Sequence, residues 1–255
     1  MPLLPGAEPF HADRGPVGAV LCHGFTGSPR SMRPWAEHLA AAGLTVALPR
    51  LPGHGTRWQD MAVTTWEDWY GAVDRAFRDV SGRCEQVFVM GLSMGGTLSL
   101  RLAEEHGDAV SGLVLVNPSL MSTDRRFLAL PLLHRCMASL PGIPRDIKKP
   151  GADEGGYDRI PLKALHSLTR LWLTTRRDLS RVEAPILLFR SLEDHVVEPD
   201  SAALLRRAVS STAVEERLLH ESYHVATLDN DAPAIFEGSL DFVRRHTRAV
   251  TGGTS

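Results

Sequence analysis

Cysteine is scarce. The 255-residue chain carries three, Cys22, Cys84 and Cys136, an odd number with no Cys-x-x-Cys spacing, so neither a disulfide framework nor a zinc site is expected. A reducing cytoplasm suits such a chain, and the expected localisation is cytoplasmic. Long apolar runs are also missing: none approaches the roughly 18 residues of a membrane span. The start, Met1 to Phe10, lacks the basic residues and apolar core of an export signal. Charge of one sign is not in excess either. With 28 Lys and Arg against 30 Asp and Glu, the formal charge is -2, and the pairs Arg125-Arg126, Arg176-Arg177 and Arg206-Arg207 stand apart. There is no surplus of cations to neutralise phosphates, so nucleic acid is not an expected partner.

What remains is an ordinary globular composition, 43% hydrophobic and 23% charged, with a marked order. Strand-like runs recur at Gly18 to Cys22, Leu44 to Leu48, Gln86 to Met90, Gly112 to Asn117, Pro185 to Arg190 and Val214 to Leu219. Segments with helical spacing lie between most of them: Arg30 to Ala42, Trp66 to Val80, Met94 to His106, Asp200 to Val209 and Ala232 to His246. The alternation predicts an α/β fold, a mostly parallel central sheet flanked by helices, with ligands at the carboxyl ends of the strands. One stretch interrupts it. From Pro118 to about Arg181 no strand is evident, and Phe127 to Leu140 and Leu162 to Leu173 read as greasy helices. The expected organisation is a core of residues 1–117 and 182–250, a small inserted cap of 118–181, and a disordered tail of 251–255. Two further packing helices of the main domain are the alternative for 118–181.

Gly91-Leu92-Ser93-Met94-Gly95 follows the strand-like run Gln86 to Met90 and opens a helical segment. A serine hydroxyl becomes a useful nucleophile when a sharp strand-to-helix turn lifts it above a sheet, and small residues are needed where backbone crowds that turn. Ser93 is the candidate nucleophile. His224, in the polar loop after the last strand-like run, is the candidate base, with His220 as its nearest competitor. Asp194, four residues past the run Ile186 to Phe189 and its flanking Arg190, is the candidate orienting acid; Glu193 and Glu198 share its loop. Ser, Asp, His is the chain order of α/β-hydrolases. The oxyanion donors expected are the backbone N–H groups of Met94 and of Phe25, the latter in the turn His23-Gly24-Phe25-Thr26-Gly27. His23 and His54 read as structural.

These motifs, with Pro49-Arg50-Leu51-Pro52-Gly53-His54-Gly55 and Ser222-Tyr223-His224-Val225-Ala226-Thr227-Leu228-Asp229, resemble the bacterial carboxylesterases and monoacylglycerol lipases of the α/β-hydrolase fold over about 18–246. The resemblance implies hydrolysis of carboxylic esters through an acyl-enzyme, with no cofactor and no metal. It also implies an acyl tunnel under the cap and a polar pocket for glycerol, with Ile143, Glu154 and Asn117 as substrate contacts. The apolar cap residues Phe127, Leu128, Leu130, Leu132 and Leu133 suit a tunnel lining, a transient lipid-surface contact or a dimer contact alike. Thioesterase, lactonase, perhydrolase and carbon-carbon hydrolase activities share the fold, and a binding protein that has lost catalysis is the rival from another class.

Overall fold

A computed structural model describes residues 2–142 and 145–248. In chain order the strands are β1 (Phe10–Ala12), β2 (Val17–Cys22), β3 (Thr45–Leu48), β4 (Gln86–Leu92), β5 (Val110–Val116), β6 (Ser139–Pro141), β7 (Arg159–Pro161), β8 (Ile186–Ser191) and β9 (Val214–Leu219). The helices are α1 (Arg33–Ala41), α2 (Trp58–Met61), α3 (Trp66–Ser81), α4 (Met94–His106), α5 (Leu130–Cys136), α6 (Leu162–Asp178), α7 (Asp200–Ala208) and α8 (Ala232–His246). Seven strands form one sheet in the order β1-β3-β2-β4-β5-β8-β9, parallel except for β1, which pairs antiparallel with β3. The expected α/β-hydrolase architecture is thus present.

The central strands read as unbroken apolar runs because both faces of the sheet are covered. Alternate residues belong to different cores. Val20, Val89, Leu113, Leu115 and Leu188 join Trp69, Val73 and Phe77 of α3 and Leu98 and Leu102 of α4. Leu21, Phe88, Met90, Val114 and Phe189 join Trp35 and Leu39 of α1 and Ile235, Phe242 and Val243 of α8. The edge strand β9 has one side chain buried and carries Glu215, Glu216 and Arg217, charges that discourage pairing with another chain.

Several expectations are revised. The helix expected from Arg30 begins at Arg33, because Pro34 sits at its first turn and a 3₁₀ turn over Pro29–Ser31 precedes it. The helix expected over Phe127 to Leu140 splits into a 3₁₀ turn, Arg125–Ala129, and the short α5; the chain is then extended, and Ser139–Pro141 pairs with Arg159–Pro161. Pro141 cannot donate to a helical turn and suits a short edge pairing. The antiparallel pair β6-β7 and strand β1 escape a sequence reading because three residues show no alternation. The two greasy runs also differ in place. Ala164, Leu168, Leu171 and Trp172 of α6 share the core cluster of α3 and α4, whereas Leu128 and Leu132 on the outer run are 80% and 69% exposed. The expected tail, 251–255, lies outside the described residues.

Candidate active site

β4 ends at Leu92 and α4 begins at Met94, so Ser93 alone makes the turn. Its backbone lies at φ 57°, ψ -120°, a strained conformation for a non-glycine residue. The turn is held from β5: Ser93 N donates to Val116 O at 3.0 Å and Ser119 N donates to Ser93 O at 3.2 Å. The flanking glycines are steric necessities. A Cβ on Gly91 would lie 2.3 Å from the Gly95 carbonyl, and one on Gly95 would lie 2.0 Å from Cys22 O. The second contact shows how closely α4 meets the end of β2.

The loop after β2 lies against the elbow. A Cβ on Gly24 would stand 3.4 Å from Ser93 Cβ and 4.0 Å from its Oγ. Among the described residues, neither Phe25 N nor Met94 N donates to a protein acceptor, so both are available to a ligand. The Phe25 ring is fixed edge-on against Trp69, centroids 5.8 Å apart. His23 is fully buried; its Nδ1–H donates to Gly24 O at 3.0 Å and its Nε2 accepts from Leu51 N at 3.2 Å. One nitrogen donating and one accepting is the neutral ring, and burial pushes His23 down to about 4. His54, whose ring lies 5.1 Å from that of His23, is also held well below its ordinary value by burial. Both have the structural character expected of them.

Asp194 and His224 meet. His224 Nδ1 donates to Asp194 Oδ2 at 2.8 Å, with both side chains 8% exposed. Asp194 Oδ1 accepts from Val196 N and Val197 N, each at 2.8 Å. Burial pushes the Asp194 carboxyl up, but the charge and hydrogen bond of His224 and the two N–H groups outweigh it, and its pKa lies below the ordinary value. Burial pulls His224 down, but Asp194 above all, then Glu154 and Asp146, lift it above the ordinary histidine value. The competitors stand elsewhere: His220 is exposed, Glu193 faces Lys148 at 3.9 Å, and Glu198 accepts from Ser122 and Thr123. Ser93 and His224 are not hydrogen-bonded to each other here; such contacts commonly tighten when substrate binds.

Of the expected substrate contacts, Ile143 lies outside the described residues. Glu154 lines a cavity of about 320 Å³ with Thr26, Arg30, Arg145, Asp153 and Tyr157. A Cβ on Gly27 would stand 3.3 Å from Glu154 Oε2, and burial raises the Glu154 pKa. Asn117 is buried and engaged with protein. Its Oδ1 accepts from Ser191 N at 2.8 Å, while its Nδ2 donates to Ser191 Oγ at 3.0 Å and His224 O at 2.9 Å. Its amide ties the end of β5 to Ser191 and to the loop of His224.

Two residues overlooked in the sequence complete the site. Tyr157 fastens the segment before β7 to the Phe25 loop: Tyr157 N donates to Thr26 O at 3.1 Å and its hydroxyl donates to Gly53 O at 2.7 Å. Asp146 reaches both the Asp194 and His224 loops. Nothing local in the sequence signals either role, since each partner is far along the chain. Among the described residues, no three His, Cys, Asp or Glu side chains are gathered as a metal site, and no helix is long and apolar enough to cross a membrane.

A serine on a strained strand-to-helix turn, at the carboxyl end of a parallel sheet wrapped on both faces by helices, defines an α/β-hydrolase. The serine aminopeptidase S33 family matches residues 17–231, and the chain belongs to that family of serine hydrolases. It is 46% identical to a thermostable monoacylglycerol lipase of Bacillus sp. (strain H-257), over 96% of this chain and 97% of that one. The solved structure of a metagenome-derived lipolytic enzyme superposes with a TM-score of 0.93 at 42% identity, covering 96% of this chain and all of the other. The monoacylglycerol lipase of Paleococcus ferrophilus, at 21% identity and a TM-score of 0.80 over 97% of this chain and 100% of that one, shares the fold.

Proposed function

We propose that the protein hydrolyses monoacylglycerols through an acyl-enzyme, with Ser93 as nucleophile, His224 as general base and Asp194 as the acid that orients it. The observation that carries this reading is the buried 2.8 Å hydrogen bond from His224 to Asp194, on the loops that follow β8 and β9 of the same sheet whose strand β4 leads into Ser93. That bond fixes the tautomer: Nδ1 holds the proton and Nε2 is left to receive one. As Ser93 Oγ attacks the ester carbonyl, His224 takes its proton, and the N–H groups of Phe25 and Met94 stabilise the oxyanion, helped by the positive end of α4. His224 then protonates the leaving alcohol. Water, activated by the same imidazole, releases the fatty acid.

The monoacylglycerol substrate is supported by the 46% identity to a relative of that activity and by the cavity beside Glu154, whose carboxylate and neighbouring Arg30 and Asp153 suit an alcohol head group. Replacement of Ser93 by Ala is expected to lower kcat on the order of 10⁴-fold or more with the fold intact. A folded Ser93→Ala enzyme that keeps most of its activity sinks the assignment. The substrate is tested separately, by kcat/KM for monoacyl-, diacyl- and triacylglycerols and alkyl esters of matched chain length. Indifference to the alcohol would replace the monoacylglycerol reading with a general carboxylesterase.

We also infer a transient contact with lipid surfaces through the outer cap run. Leu128 and Leu132 are 80% and 69% exposed, and Arg125 and Arg126 in the adjoining turn suit anionic headgroups. Leu128→Ser combined with Leu132→Ser is expected to reduce co-sedimentation with phosphatidylglycerol vesicles while leaving turnover of a water-soluble short-chain ester intact. Equal sedimentation of both proteins removes the inference. The cytoplasm, suited to three free cysteines, is the compartment we assign, and cell fractionation checks it.

A further inference from the structure

The peptide of His224 is clamped from both sides. Asn117 Nδ2 donates to its carbonyl at 2.9 Å, and its N–H donates to Asp146 Oδ2 at 3.1 Å. The same carboxylate serves the neighbouring loop: His195 N donates to Oδ2 at 3.1 Å and His195 Nδ1 donates to Oδ1 at 2.7 Å. His195 follows Asp194 directly. The backbone carbonyl of Asp146 accepts from Val225 N at 3.1 Å, so one residue holds the base loop by side chain and main chain and the acid loop by side chain.

The segment that presents it is built for the purpose. Arg145 has φ 57°, a left-handed conformation that costs a non-glycine residue energy, and Ile147 N closes back on Arg145 O at 2.8 Å, so Asp146 sits at the tip of a tight turn. Its side chain is only 9% exposed. Two residues on, Lys148 N and Lys149 N donate to Asp229, at 2.7 and 2.8 Å, and that carboxylate also accepts from Tyr223 N at 2.9 Å. The turn is therefore bolted to the His224 loop at two points.

We propose that Asp146 is a positioning residue that locks His224 and Asp194 in register and adds its negative charge to those that face the imidazole. The proposal rests on His224 being the general base. It assigns to a residue outside the Ser-Asp-His set the task of holding these two loops together beyond the strand-end bond from Leu192 N to Leu219 O. The charges facing the imidazole come from three segments: Asp194 after β8, Glu154 in the segment before β7, and Asp146. His195, in contact with Asp146 and packed edge-on against Tyr223 at 4.7 Å, is the counter-cation to that group. Its own pKa is raised, first by Asp146 and then by Asp194 and Glu193. Beyond it, Lys148 pairs with Glu221 and Glu193.

Two substitutions with opposite electrical consequences test this. Asp146→Asn keeps an oxygen for the backbone donors and removes the charge. The base must be neutral to accept a proton, so kcat/KM rises with pH through the His224 titration. Removing a negative neighbour lowers that titration, and the acidic limb of the profile moves to lower pH. Loosened registration lowers kcat roughly 10- to 100-fold, as misplacement of a catalytic group does, with a much smaller change in KM. His195→Gln removes the counter-cation and moves the limb to higher pH. A residue serving only the stability of the fold moves neither limb. A folded Asp146→Asn with the wild-type kcat and limb overturns the proposal, as do two limbs that shift in the same direction. If Asp146→Asn does not fold, the His195→Gln limb decides alone: an upward shift supports the proposal and an unmoved limb ends it. Failure of the parent reading is distinct, because it appears as activity retained in His224→Ala.

Discussion

Asp194, on the loop after β8, is 8% exposed and accepts three hydrogen bonds, from Val196 N, Val197 N and His224 Nδ1, each at 2.8 Å. Glu104, near the C-terminal end of α4, has a side chain with no exposure at all, yet one oxygen alone is engaged, by Arg101 at 2.9 Å. Its Oε1 meets no donor among the described residues, nor does the hydroxyl of Thr175. Arg101 is also shared, with Glu105 at 2.6 Å and Asp178 at 2.8 Å. Burial acts upward on both carboxyls. At Asp194 the donors win and the pKa falls below its ordinary value; at Glu104 burial wins, with Asp178 adding to it, and the pKa is pushed up to about 8. The charge state of a buried acid is thus set by the donors aimed at it. A site that needs a permanent anion beside an imidazole supplies them on every lone pair it can.

The largest effect belongs to Asp194. An Asn there keeps the shape and an oxygen for Val196 N and Val197 N, but carries no charge and turns its NH2, a donor, towards Nδ1, and the imidazole loses its productive tautomer. A fall in kcat on the order of 10⁴-fold is expected, while Glu193→Gln, one residue away and pointed at Lys148, is expected to change kcat by less than about threefold. Steady-state kinetics on one short-chain ester compare the two. The reverse ranking would move the orienting acid to Glu193 and dissolve the contrast with Glu104.

How much of this is legible in the sequence depends on how local each signal is. The parallel sheet announces itself through runs such as Val87 to Met90 and Ile186 to Phe189, apolar at every position because alternate side chains enter two different cores. Ser93, Asp194 and His224 each stand within a few residues of a strand end, so element order alone brings them forward as candidates. Asp146 is invisible by the same standard: its partners are 49 and 78 residues away, and it sits in a stretch whose composition says only that it is irregular. Asn117 is legible only in part. Its place at the end of β5 is legible, but whether an amide there faces substrate or protein is decided by Ser191 and His224, which only the folded chain brings to it. The two greasy runs show the limit of periodicity. Phe127 to Leu140 and Leu162 to Leu173 look alike as sequence, yet α6 is seated in the core and much of the outer run is exposed, because periodicity says that a face is apolar without saying what covers it.

The smallest effect tests the other half of the comparison. The folded chain keeps a proton on Glu104 that the unfolded chain releases above the ordinary value of 4.5, so this group's contribution to stability is full below that pH, declines as pH rises towards about 8, and is gone above it. Glu104→Gln fixes the neutral form at nearly the same volume and abolishes the decline. Melting curves of the two proteins are therefore expected to lie close together at pH 5 and to separate by pH 9. There the variant is the more stable by about 2–4 °C, the shift that roughly 1 kcal/mol produces in a domain of this size, with kcat unaffected because α4 keeps Ser93 at its far end. Curves that stay parallel from pH 5 to 9 would mean that Arg101 holds Glu104 ionised as firmly as His224 holds Asp194, and that sharing one guanidinium among three carboxylates costs nothing.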